Sequence, residues 1–271
     1  MTGSTPLAGN RAGWSVPVLL ALVVSEYRKT LSTAAWWALL IPAALICGLV
    51  GLISAEAGGL AFTVSTTLAL VLSPYGGTFA AIFGVVCSSA EFRHRTATTS
   101  YLAAAGRPQL LVAKAALAAV VGAGYAVVCS VIGTLGMLLG GSSFTDDFGD
   151  TVEVVVVAAL LFALWAVLGV GLGALLANQL AAIVGLLVYL LLVEPLINRF
   201  SSLSNLGPIK DFLPAGASSS ALTVLASNPG SGLDDLFGST LPWWVSFMIF
   251  LGYALVVYAA GTAVAQTRDV T

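Results

Sequence analysis

Glu91, Arg93, His94, Arg95 and Arg107 crowd into the stretch between Ser88 and Lys114, the only strongly charged run in an otherwise apolar chain. Their chemistry is charge recognition rather than catalysis. His94 is the sole histidine, so an HExxH zinc site is excluded, and a Ser-His-Asp relay would have to rest on one imidazole flanked by arginines, which reads as a solvated surface residue. The three lysines, Lys29, Lys114 and Lys210, lack the upstream glycines of GxxxxGK[ST], so the chain has no phosphate-cradling loop of its own. Cys47, Cys87 and Cys129 fall in apolar runs without CxxC spacing and read as small core residues, not as a disulfide framework or zinc site.

The elements that must carry these residues follow from composition. Of 271 residues, 59% are hydrophobic and 8% charged, and the mean hydropathy is +1.02. A soluble domain carries about a quarter of its residues charged, so this chain belongs in a bilayer. The net charge of −2 comes from few, scattered groups, which removes the basic stripe that nucleic-acid binding needs. A crossing takes about 20 apolar residues, and six stretches qualify, near 36–53, 67–89, 110–139, 152–177, 180–197 and 241–265. The expected fold is an all-α membrane protein. Residues 1–35 form an N-terminus and interfacial helix, 36–265 a six-helix transmembrane domain, and 266–271 a tail.

Basic residues orient such a bundle. With both termini inside, Arg11, Arg28, Lys29, Arg93, Arg95, Arg107, Lys114 and Arg268 are cytoplasmic, and only Arg199 and Lys210 lie outside. Residues 1–13 lack the basic start of a signal peptide, and no cleavage is expected. The segment 16–33 is apolar, then charged at Glu26, Arg28 and Lys29; it reads as a helix lying on the inner surface. The alternative, a seventh span, would put Arg11 outside. Trp36 and Trp37 mark the inner interface.

Between the second and third spans, Thr96, Thr98 and Thr99 offer N-cap oxygens, Gly106 a C-cap, and Pro108 a helix start, so a short in-plane helix is expected near 98–105. Outside, 215–226 is apolar but too short to cross, and fits a re-entrant or interfacial helix before the sixth span. Glu153 and Glu194 fall near outer span ends and read as interfacial residues reached by water. Pro74, Tyr75, Gly76 and Gly77 interrupt the second span. That break either lines a substrate path or is a kink whose glycines admit a neighbouring helix. Gly169, Gly171 and Gly173, and Gly136 with Gly140, offer small faces for helix association, although in a chain with 29 glycines such spacings also arise by chance.

The basic loop itself has two readings. Charge alone fixes topology and touches anionic headgroups. The caps, with Tyr101 and Leu102 as apolar residues, also make it a compact handle that a partner could grip to tilt both flanking spans.

These residues carry a resemblance. Ser25-Glu26-Tyr27-Arg28-Lys29 ahead of Trp36-Trp37, Glu91-Phe92-Arg93-His94-Arg95-Thr96 as an E-[FY]-R-x-[GR]-T signature, and Ala105-Gly106-Arg107-Pro108 leading to Lys114 resemble the permease subunits of ABC-2 type transporters, in particular small bacterial ones of the antibiotic-resistance and bacteriocin-immunity kind. Arg95 stands where a Gly is frequent. The resemblance implies six spans, a cytoplasmic coupling helix between spans two and three, and re-entrant helices before span six. It implies a plasma-membrane exporter of a hydrophobic or amphipathic drug, lipid or peptide, with no cofactor or catalytic centre in this chain. ATP and Mg2+ would be handled by a separate ATP-binding subunit, and two permease copies or related chains would pair. On that resemblance Glu91, Phe92, Arg93, His94, Arg95, Thr96, Tyr101, Leu102 and Arg107, with Glu26, Arg28 and Lys29 beside them, would dock the ATP-binding subunit.

Two other functions compete. A membrane sensor or immunity module would bind a lipid or peptide and use the ATPase for regulation. An ATP-independent secondary transporter calls for inverted repeats and mid-membrane carboxylates, and the sequence displays neither.

Overall fold

The computed structural model describes residues 16–56, 67–68, 72, 76–93, 107–141, 148–203, 209–226 and 241–267, and these are helices joined by turns, without a strand among them. In chain order the helices are α1 (Val16–Ser32), α2 (Ala35–Glu56), α3 (Gly77–Arg93), α4 (Arg107–Leu139), α5 (Phe148–Leu176), α6 (Gln179–Val188), α7 (Glu194–Leu203), α8 (Pro214–Ala226) and α9 (Trp243–Thr267). A π-helical turn, Tyr189–Val193, joins α6 to α7, so that Gln179–Ser201 is one apolar rod.

Five segments are long and apolar enough to cross a membrane: Ala35–Ser54, Pro108–Leu139, Phe148–Leu176, Gln179–Ser201 and Trp243–Thr267. The chain is a multi-pass membrane protein. Gly77–Ala90 in α3 is apolar but shorter. The expected second span begins at residue 67, and much of 67–76 lies outside the described residues. So do the expected in-plane helix at 98–105 and the terminal segments 1–15 and 268–271.

α5 is the hub. It packs against α3, α4 and α9, and 61% of its membrane-length window is buried, against 17% for α2, for Gln179–Ser201 and for α9. The peripheral helices therefore present apolar faces outward. On α2, Trp37, Ile41, Leu45, Leu49 and Ile53 are all exposed at a spacing of four, the row that lines one side of a helix. An outward apolar row is stable in hydrocarbon and costly in water.

Glycine sets the approach of the helices. Gly51 and Gly136 press backbone to backbone against Gly133 and Gly48 across the α2–α4 seam, Gly84 and Gly169 face Ala166 and Ala81 across α3–α5, and Gly261 faces Gly171 across α5–α9. A Cβ at any of these positions would run into the partner's main chain. Lipid tails are as apolar as the side chains, so helix association in a bilayer draws on close packing of this kind. The glycine spacings at 169–173 and at Gly136 are thus interface positions.

Two contacts fix the direction of α2 against α4. The Tyr125 hydroxyl donates to the Trp36 carbonyl, and further along Gly51 meets Gly133; the two helices run parallel. α3 and α5 are parallel too, since Gly76 meets Phe162, and Ser88 meets Gly173.

The turn between α5 and α6 takes two residues. Ala177 adopts φ 50, a left-handed conformation that costs a residue with a Cβ about 1 kcal/mol. Asn178 then caps α6 by accepting the Ala181 N–H at 3.2 Å. α6 leaves this turn leaning on α3 more than on α5, which opens a groove at that end of the bundle.

Candidate functional site

At the end of the bundle where α1 lies, a buried charge joins three helices. Lys114, near the start of α4, is 1% exposed. Its Nζ donates to a Glu26 carboxylate oxygen of α1 at 2.7 Å and to the Cys87 carbonyl of α3 at 3.2 Å. The other Glu26 oxygen lies 3.8 Å from Lys29. An ammonium inside a bundle is tolerated only when a counter-charge and hydrogen bonds replace water, and Glu26 with Cys87 supplies both.

Lys114 therefore does not add to the positive charge of the neighbouring loop, as the sequence suggests; it is an internal tie. Glu26 likewise faces inward, whereas Arg28 and Lys29 are exposed. α1 also exposes Leu20, Val24, Tyr27 and Leu31, an apolar stripe at spacings of four, three and four beside its charged residues.

The other expected docking residues flank this tie. Glu91, Phe92 and Arg93 close α3 and Arg107 opens α4. Their side chains, and His94, Arg95, Thr96, Tyr101 and Leu102 entirely, lie outside what the structure describes. Pro108 sits in the first turn of α4, where its missing N–H has no intrahelical partner to lose.

Gly76 and Gly77 are buried. A Cβ on the first would meet the Phe162 ring and one on the second the Trp165 indole, so both admit α5 side chains. Pro74 and Tyr75 lie outside the described residues.

A second polar cluster ties α8 to the rod Gln179–Ser201. Glu194 accepts the backbone N–H groups of Gly216 at 2.7 Å and Ala215 at 3.2 Å, the unpaired donors of the first turn of α8. It is 3% exposed. The expectation of a water-reached interfacial carboxylate is corrected here, because α8 folds back over Glu194. Asp211, fully buried, accepts the Ser220 hydroxyl at 2.9 Å, and the Tyr253 hydroxyl of α9 donates to the Phe212 carbonyl at 3.0 Å. Pro214 shares a cavity of about 440 Å3 with Trp165, Leu186, Tyr253 and Val257, far from the ends of α5 and α9. α8 thus starts deep among the spans, and its 13 residues reach about 20 Å.

Nothing in the sequence paired Glu26 with Lys114 or Glu194 with Gly216. The only signal was the cost of an ionisable group in an apolar run, which asks for a partner without naming it. Among the described residues no group of three or more His, Cys, Asp and Glu side chains is placed to hold a metal ion. No protein-family model matches the chain, and no curated protein does.

Proposed function

We propose that the chain is the membrane-spanning permease subunit of an ABC-2 type exporter, with both termini and the basic loop on the cytoplasmic face of a bacterial plasma membrane. Two such chains, or related ones, would form the pathway for a hydrophobic or amphipathic substrate, and separate subunits would bind and hydrolyse ATP. In this reading α3 completes a sixth span with the residues before it, and α8 is the re-entrant helix ahead of the last span.

The observation that carries the reading is the Lys114 tie. It joins α1, the last turns of α3 and the first turns of α4, so force applied to residues 91–107 moves three helices together. A nucleotide cycle drives such a movement only when the partner holds the two states of the permease with different affinity. Arg93 and Arg95 would pair with acidic residues of the ATP-binding subunit, Tyr101 and Leu102 would fill its groove, and the exposed Arg28 and Lys29 would flank the contact.

The test is co-purification with the ATP-binding subunit and measurement of stimulated ATP hydrolysis. Arg93→Glu combined with Arg95→Glu is expected to abolish stimulation while the permease stays folded. Unchanged assembly and turnover would remove the docking role.

A further inference from the structure

We infer that the groove between α1, α2, α3 and α6 is a binding site for one anionic phospholipid of the leaflet that the basic end of the bundle faces. Its cavity measures about 370 Å3, within the size that holds small-molecule ligands. One end is polar, with Lys29 and Thr30 of α1 and Gln179 at the start of α6. The walls below are apolar and come from Ile82 and Phe83 of α3 and Ile183 of α6.

Depth favours a lipid. Ile82 lies eleven residues before Arg93, the last residue of α3, which is about 16 Å along a helix. That is close to half of the roughly 30 Å hydrocarbon core. Along α3 the groove itself is lined from Ile82 to Ala90, about 12 Å of helix, so it covers most of one leaflet, with its polar end toward the basic end of the bundle.

Charge selects the headgroup. Glu26 also lines the cavity, but its carboxylate is answered by buried Lys114 at 2.7 Å. Lys29, 3.8 Å from the second Glu26 oxygen, keeps 44% of its side chain exposed, and exposed Arg28 stands next to it on α1, so among the described residues the basic groups near the mouth outnumber the acidic ones. A basic recess between spans at the cytoplasmic surface suits an anionic headgroup. The cytoplasmic placement rests on the orientation proposed above, but binding to this chain does not depend on any transport activity.

The experiment is native mass spectrometry of the full chain purified in detergent, titrated with dioleoyl phosphatidylglycerol or dioleoyl phosphatidylcholine. The wild type is expected to retain one phosphatidylglycerol in preference to phosphatidylcholine. Lys29→Gln lowers phosphatidylglycerol retention about fivefold, the equivalent of about 1 kcal/mol for one basic residue at the surface, and Lys29→Arg keeps it. Ala38→Phe, at an exposed lining position, fills the groove and removes tight retention of both lipids. Equal retention of the two lipids by the wild type, a preference unchanged by Lys29→Gln, or binding intact in Ala38→Phe would each overturn the assignment. So would cross-links from Ala38→Cys to a second copy in lipid-free dimer, because that copy would then cover the groove. Failure of the wild type to assemble with an ATP-binding subunit or to stimulate its ATP hydrolysis, with lipid retention intact, would sink the exporter reading and leave this one standing.

Discussion

The Lys114 ammonium lies 2.7 Å from the Glu26 carboxylate, across 88 residues of chain, with both side chains shielded from solvent. This contact attaches a peripheral helix, α1, to the spans. Removing Glu26 takes the carboxylate from a buried ammonium, at a cost of about 3–5 kcal/mol, whereas removing Lys114 still leaves Glu26 its 3.8 Å contact with Lys29. Removing both with apolar residues of similar size costs far less. Glu26→Leu is therefore expected to lower thermal stability in detergent steeply, and Glu26→Leu with Lys114→Met to recover most of the loss. Equal losses in the single and double variants would show that the two charges are not coupled.

Glu194 makes a second prediction, confined to α8. Its two oxygens accept the N–H groups of Ala215 and Gly216. Glu194→Gln keeps the shape but replaces one acceptor with a donor and removes the charge that complements the positive end of the helix. The expected cost is about 1–3 kcal/mol, the penalty for a buried donor left unpaired. Hydrogen exchange should quicken at the start of α8 and stay unchanged in α2 and α4. A uniform loss of protection across the bundle would mean that Glu194 supports the whole fold, not this helix.

Span positions were legible in the sequence because a bilayer crossing is a one-dimensional property: α2, α4, α5, the rod Gln179–Ser201 and α9 each follow an apolar run. The short helix α8 was legible for the same reason, through its length and flanking prolines. What the sequence withheld depends on contacts between distant residues. Lys114 read as part of a basic loop because its partner stands on another helix, and Glu194 read as a span-end residue because 21 residues separate it from the amide it accepts. The α5–α6 reversal itself was legible as the gap between the runs 152–177 and 180–197, but not the positive φ of Ala177, a conformation that glycine more often supplies.

Glycines carry a graded prediction. Gly169 and Gly136 face neighbouring main chain, while Gly124, on the exposed side of α4, has nothing within 4 Å of a Cβ. Gly169→Ala or Gly136→Ala must push two backbones apart, with an expected loss of about 1–3 kcal/mol. Gly124→Ala meets open space and gains helix propensity of roughly 1 kcal/mol. Thermal stability should fall in the first two variants and hold or rise in the third. A similar response in all three would argue that the seams do not set helix spacing.

The seam between α2 and α4 also contains Cys47 and Cys129, both buried and facing each other across it. A membrane-permeant oxidant such as iodine is expected to join them, once Cys87→Ser removes the third thiol. The readout is alkylation after denaturation: both thiols protected after oxidation, both reactive after reduction. Full alkylation of oxidised protein would place the two sulfurs out of reach and displace α2 from α4. The consequence for mechanism is specific. Gly48, Gly51, Gly133 and Gly136 lock these two parallel helices backbone to backbone, so a rocking motion transmitted through the Lys114 tie would carry them as one body. On the exporter reading proposed above, the cross-linked chain should then keep stimulated ATP hydrolysis by its ATP-binding subunit, whereas a cycle that slides α2 past α4 would stop when the two are joined.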